Sequence, residues 1–140
     1  MTGVQTCALP ISSSFTPDPS TGLTTQEIIE PNNPSLKVVT SRAYDGYGNP
    51  TGVTVSSGVA STDPAYFAPR TTTTAYDARG QFPVSSTNAL GQSEAYGFDT
   101  RFGGRTALTG PNGLTTSWVY DGFGRKTSET RADGRSESVV

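Results

Sequence analysis

Polar and apolar residues alternate along most of this chain in short runs: "SLKVVTSRAY", "TGVTVSS", "TTTTAY", "QSEAYGF", "LTTSWVY" and "KTSETR". Each run is rich in β-branched or aromatic residues, keeps a period of two, and is bounded by Gly, Pro, Asn or Asp, which is the signature of a strand between turns. In the run ending at Tyr120, Thr116, Trp118 and Tyr120 share one face while Ser117 and Val119 take the other. Tyr96 and Phe98 repeat that arrangement earlier in the chain. Strands this short, joined by Gly-bearing turns every ten residues or so, predict an all-β antiparallel meander of hairpins.

Aligning the chain with itself shows why the pattern recurs. Four units appear: "RAYDGYGN" from Arg42, "TAYDARGQ" from Thr74, "YGFDTRFGGR" from Tyr96 and "WVYDGFGR" from Trp118. The aromatic before each Asp, namely Tyr44, Tyr76, Phe98 and Tyr120, sets separations of 32, 22 and 22 residues. The surplus in the first interval falls on "SGVASTDPAYFAP", a run of turn formers at residues 57–69 that reads as an insertion. The third unit has one extra residue between Asp99 and Gly103, which predicts a bulge or a longer turn. A second turn follows in "NALGQ", "GPNGL" and "RADGR". Asp45, Asp77, Asp99 and Asp121 would initiate the turns, and the glycines beside them, Gly48, Gly80, Gly103 and Gly122 with Gly124, would supply positive φ at one or two positions. Arg105 and Arg125, just past the turn, are placed to pair with an acid or lie over a ring.

The repeat region therefore spans residues 36–140, and residues 12–35 read as an irregular lead-in. Within it "TTQEIIE" could form a helical turn capped by Thr24 or Thr25, but Pro31 stops it, and a loop or an irregular strand is expected. The opening "MTGVQTCALPI" resembles a translated sequencing adapter: all eleven positions agree with one reading frame of a common adapter strand whose GTG start codes for Met1. Residues 1–11 are accordingly expected to be an artefact and the chain a gene fragment. Cys7 lies inside that stretch, so it carries no argument about redox compartment or nucleophilic chemistry.

Composition sharpens this picture. Only 32% of residues are apolar, against about 45–50% in an average globular chain. In their place stand 22 Thr, 16 Ser, 16 Gly and 10 Pro, a mixture that favours strands and turns over helices. Disorder would come with a large net charge and few aromatics, but the net charge is only -2 and there are six Tyr, six Phe and one Trp. Interspersed charges of both signs leave no footprint for nucleic acid, and no apolar run is long enough for a helical membrane span. With no His and one Cys, the Ser-His-Asp, Cys-His and Cys/His zinc sites cannot be assembled within the chain. No catalytic residue, cofactor site or metal site is assigned, and the chain is read as non-enzymatic.

The clusters that could carry chemistry have competing explanations. The stretch "WVYDGFGRKTSETRADGR", Trp118 to Arg135, groups rings, an acid, glycines and Arg125, the ingredients of a carbohydrate site. Because the same grouping recurs with the strand period, turn and packing roles account for it better. "DGYGN" has acceptors at alternate positions but lacks the Gly and distal Glu of a calcium loop, and "GYGNPTG" and "GFGRKTS" lack the spacing of dinucleotide and phosphate loops. Pro in the middle position removes both Asn33 and Asn49 as glycosylation acceptors.

Tyr-Asp-x-x-Gly-Arg, followed about ten residues later by Pro-Asn-Gly or Asp-Gly, resembles the YD repeat of Rhs-type proteins. Trp118 to Arg135 carries the whole pattern; Phe98, Asn49 and Gln81 depart from it, and "NALGQ" lacks the Pro. That family includes bacterial polymorphic toxins, components of insecticidal toxin complexes and animal teneurins. The resemblance implies a share in a long β-sheet wound into a hollow shell, which in the bacterial members encloses a C-terminal toxin. It also implies a secreted or cell-surface parent whose other repeats, and an encapsulated toxin, would be the partners. A glycan is the partner under the alternative reading. Cutting such a sheet exposes strand edges, so the isolated piece is expected to be unstable or aggregation-prone.

Overall fold

The computed structural model describes residues 11–138. Cys7 and all of the adapter-like stretch except Ile11 lie outside the described residues, as do Val139 and Val140. Eleven strands and no helix make up the described chain: β1 (Ser13–Pro17), β2 (Thr24–Ile29), β3 (Val38–Tyr44), β4 (Pro50–Ser56), β5 (Arg70–Tyr76), β6 (Pro83–Thr87), β7 (Ser93–Phe98), β8 (Arg105–Thr109), β9 (Thr115–Tyr120), β10 (Lys126–Thr130) and β11 (Ser136–Ser138). Hydrogen bonding follows chain order from β1 to β11, giving the antiparallel meander that the alternating pattern predicts. No apolar side chain among the described residues is buried. A sheet of Thr, Ser and half-buried rings thus forms without an apolar core.

The described residues form two compact units, one of residues 11–42 and 54–70 and the other of residues 43–53 and 71–138. In the first, β1 pairs with β2 and β2 with β3, with Ile28 opposite Val39 and Glu27 opposite Thr40. The Arg42 guanidinium donates to Glu27 at 2.9 Å, both side chains being about a quarter exposed. Residues 57–69 contain no strand, and Ser57 among them is 1% exposed.

Residues 12–35 differ from the expected irregular lead-in. They form the β1–β2 hairpin, and the "TTQEIIE" stretch, expected as a loop or an irregular strand, supplies the regular strand β2 and no helical turn. The reason lies in Asp18, whose Oδ1 accepts the N–H groups of Ser20 at 2.8 Å and Thr21 at 2.9 Å. The Asp18 N–H donates to the Leu23 carbonyl and the Gly22 N–H returns to the Asp18 carbonyl, each at 2.8 Å. This closed turn delivers Thr24 to Ile29 antiparallel to β1, and the interstrand bonds override a short helical preference. Pro17 occupies the place of the aromatic, which concealed the likeness to the other Asp turns in the sequence.

The second unit repeats one device. Tyr44, Tyr76, Phe98 and Tyr120 are the last residues of β3, β5, β7 and β9, and the following Asp opens each turn. On the return strands Val84, Thr106 and Thr127 are skipped in the register, so each of these three hairpins carries a bulge just past its turn.

Candidate functional site

The repeated residues converge on the Asp turns, each closed from both ends of the loop. At Asp121 the backbone N–H donates to the Arg125 carbonyl at 2.9 Å and the Gly124 N–H donates to the Asp121 carbonyl at 3.1 Å. Asp121 Oδ1 then accepts the N–H groups of Phe123 and Arg125 at 2.9 and 3.0 Å, so the carboxylate satisfies two donors that the turn leaves unpaired. Asp45 holds the N–H groups of Tyr47 and Asn49 in the same way. Asp77 accepts those of Gln81 and Phe82, and Asp99 that of Arg101. The extra residue of the third unit widens its turn: the Gly103 N–H returns to the Asp99 carbonyl over four residues at 2.8 Å, where Gly80 and Gly124 return to Asp77 and Asp121 over three.

These bonds fix the electrostatics. The Arg125 backbone N–H holds the Asp121 carboxyl below the usual range, helped by its guanidinium, which donates from Nε to Oδ2 at 2.7 Å. The Arg101 side chain does the same at Asp99. At Asp45 desolvation opposes the shift, yet the backbone and side-chain donors of Asn49 prevail and the pKa is lowered. Asp18, bonded by the Ser20 hydroxyl and backbone donors, is lowered to about 2. Each carboxylate is committed to its own loop, an arrangement suited to holding a turn.

Gly48, Gly80, Gly103 and Gly124 all take positive φ, but Gly46 and Gly122, the first glycine of their turns, do not. The second glycine therefore makes the turn. Gly80 also serves as a seat: a Cβ there would lie 2.4 Å from Tyr47 Cδ2, so the ring of the preceding turn rests directly on the glycine. Tyr47 further donates its hydroxyl to the Ala78 carbonyl at 3.2 Å, and Asn49 Nδ2 donates to the Gly80 carbonyl at 2.7 Å. The contact recurs along the series, with Phe82 over Gly103 and Phe102 over Gly124 at 3.4 and 3.2 Å from the corresponding Cβ positions. The opposite turns also use positive-φ glycines, Gly91, Gly113 and Gly134, but nothing lies within 4 Å of a Cβ at any of them. Ring-on-glycine stacking thus belongs to the Asp turns.

The remaining rings pack beside this row. Phe82 stacks on Phe98 with centroids 5.0 Å apart, and Phe102 meets Tyr120 edge-on at 5.3 Å. Tyr120 donates its hydroxyl to the Arg105 carbonyl, and the Arg105 guanidinium lies 4.9 Å from the Tyr96 centroid and 5.8 Å from that of Phe98. Trp118 is held through polar contact, its indole N–H donating to Glu129 Oε2 at 3.0 Å from directly across the ladder. Lys126 and Arg131 also donate to Glu129, and together with Trp118 they hold its carboxyl below the usual range. The periodic aromatic-Asp-Gly signal pointed to these turns. The ring donors Phe82 and Phe102 escaped it, because they stand outside the Tyr-Asp register and their role depends on the next unit.

A shallow cavity of about 260 Å³ lies among Ser86, Asn88, Gln92, Glu94 and Pro111. Its polar groups are engaged: Asn88 bonds Gln92 and the turn backbone, and Glu94 accepts the Tyr96 hydroxyl at 2.8 Å, which raises the Tyr96 pKa. No group of three or more His, Cys, Asp or Glu side chains among the described residues could hold a metal ion. No helix among them is long and apolar enough to cross a membrane.

Comparison with known families adds one match. Residues 103–136, about a quarter of the chain, fit the family model described as RHS Repeat. The match covers the Trp118–Arg135 unit and bears out the resemblance of these repeats to the Rhs/YD-repeat family. No curated protein sequence matches the chain.

Proposed function

Because residues 103–136 carry an RHS repeat, we propose that this chain is a wall segment of a larger Rhs/YD-repeat protein, helping to form a hollow β-shell around a C-terminal toxin or effector. The observation that carries the reading is the ring-on-glycine series along the Asp turns, which ties each repeat to the next in a sheet with no buried apolar side chain among the described residues. Such a segment draws its stability from stacked neighbours. Its function is architectural: the turn carboxylates are spent on backbone donors and the rings on glycines, and no catalysis is assigned to the segment itself. The parent is secreted or surface-exposed on this reading, and its partners are the remaining repeats and the enclosed effector.

The test is the parent gene. Flanking sequence should contain many further Tyr-Asp-x-x-Gly units at spacings near 22 residues, and electron microscopy of the expressed parent should show a closed shell. Flanks without such units, or an extended particle, would sink the proposal. The glycan reading has some support in the exposure of Tyr47 (67%) and Phe123 (88%). A glycan array decides it: selective binding that is lost in Trp118→Ala or Phe123→Ala variants with intact β signal would establish recognition over a purely structural role.

A further inference from the structure

The ring-on-glycine series contains one ring without a seat. In the fourth Asp turn Phe123 stands immediately before the positive-φ Gly124, as Tyr47 stands before Gly48 and Phe102 before Gly103. Tyr47 and Phe102 each rest on the glycine of the following turn, and Phe102 also meets Tyr120 there. Phe102 is 37% exposed, whereas Phe123 is 88% exposed, with the Arg125 guanidinium 5.5 Å from its centroid. Beside it β11 is paired with β10 on one side, stands last in the strand order of the described residues and is exposed at every position.

Resting on the proposed function, we infer that Phe123 and the free edge of β11 form a docking surface for one further aromatic-Asp-x-x-Gly hairpin, whose positive-φ glycine sits on the Phe123 ring. The argument is continuity with an established interface. In three successive turns a ring covers the positive-φ glycine of the next turn, from Tyr47 and Phe102 just before their own turn glycine and from Phe82 two residues after Gly80; a Cβ on the receiving glycine would lie 2.4 Å from the ring at Gly80, 3.2 Å at Gly124 and, at ordinary contact, 3.4 Å at Gly103. The hairpin would also supply backbone partners for β11, so the edge and the ring are covered together. The surface therefore favours a glycine turn over an arbitrary apolar segment, because the receiving residue takes a positive φ and, at Gly80, has no room for a Cβ beneath the ring.

The experiment appends residues 119–138 after Val140 of the full chain, which continues the 22-residue period and supplies one more Asp turn. In the extended chain the amides of β11 should gain protection from hydrogen exchange. Phe123→Ala should lower the melting temperature by about 3 °C or more in the extended chain and by less than about 1 °C in the original. A photo-crosslinking phenylalanine analogue at position 123, read by mass spectrometry, reports the same contact without a cooperative melt; it should label the appended copy of the Gly124 turn.

Protection of β11 without a Phe123→Ala effect or a crosslink at that turn would overturn the ring seat and leave the repeat reading standing. No gain in protection would overturn both. If the original chain instead self-associates in sedimentation and Phe123→Ala abolishes this, the occupant is a second copy, and the assignment to a following hairpin is wrong.

Discussion

Replacing Gly80 by Ala separates two demands on this glycine. Its φ of +65° is strained for any L-residue, by about 1–2 kcal/mol, and Gly113→Ala at φ +76° carries the same strain with nothing within 4 Å. At Gly80 the new methyl also meets Tyr47 Cδ2, Cγ and Cβ at 2.4, 2.6 and 2.9 Å. Those atoms include the root of the side chain, so the whole ring must leave. Tyr47 is 67% exposed, so roughly 70 Å² of a ~200 Å² side chain is covered, worth about 1.5–2 kcal/mol at ~25 cal/mol/Å². Gly80→Ala should therefore cost about 3 kcal/mol against about 1–2 for Gly113→Ala, a difference of roughly 1 M in urea midpoint at an m-value near 1.5 kcal/mol/M. The assay is urea unfolding followed by far-UV circular dichroism, with a fixed concentration of TMAO to secure the folded baseline. A third variant closes the argument: in a Tyr47→Gly background, which removes the Cβ as well as the ring, the methyl has room, and Gly80→Ala should fall to the Gly113→Ala value. Equal costs for the two single glycine variants, or no relief in the Tyr47→Gly background, would refute the ring-on-glycine account.

Three more outcomes follow from the same geometry. Asp18, Asp45, Asp99, Asp121 and Glu129 have folded pKa values below their ordinary ones of 3.8 for Asp and 4.5 for Glu, so they add stability above about pH 5 and lose it as pH falls through the folded values. The urea midpoint should be flat near neutrality and decline steadily below about pH 4, more shallowly in Asp121→Asn; an unchanged midpoint down to pH 2 would contradict this. Trp118 is the only Trp, and its emission should titrate with Glu129 at a midpoint under 4.5, a transition absent from Glu129→Gln. A double-mutant cycle of Phe82→Ala and Phe98→Ala should give a coupling of about 0.5–1.5 kcal/mol, and additivity would show that the 5.0 Å stack contributes nothing.

Much of this architecture was legible in the sequence, because a hairpin meander writes its rules locally. Alternation gives the strands, and Asp followed by Gly gives the turn, so the Tyr44, Tyr76, Phe98 and Tyr120 register lands on four strand ends. The β1–β2 hairpin escaped because Pro17 stands where the aromatic should be, although the Asp18 turn closes by the same bonds as the Asp99 turn. Trp118 and Tyr120 share a face by alternation, yet the structure sets Tyr120 against Phe102 of the preceding unit while Trp118 turns to Glu129. The choice depends on cross-strand register: a bulge at Thr127 brings Glu129 opposite Trp118, and a bulge is a pairing property that no single strand announces.

The two ends of the strands show what the repeat selects. Both need left-handed glycines, yet only the Asp end places rings on them, so turn geometry alone does not explain the aromatic at Tyr47, Phe82 or Phe102. Since no apolar side chain is buried between faces, contact from one unit to the next must be carried by the backbone ladder and by groups at the turns. A glycine that must be glycine for its φ has a bare backbone surface, and a ring from the preceding turn is the natural cover for it. The constraint then runs both ways: the ring requires the glycine, and the glycine leaves a surface that the ring fills. The period of 22 residues keeps ring and seat in step at Phe102 and Gly124, exactly one residue less than a full period apart from glycine to glycine because the Asp99 turn is one residue longer. Insertion at residues 57–69 does not break the series, for Tyr47 still reaches Gly80 across an interval of 33 residues, so the strand order and not the sequence spacing decides which turns meet.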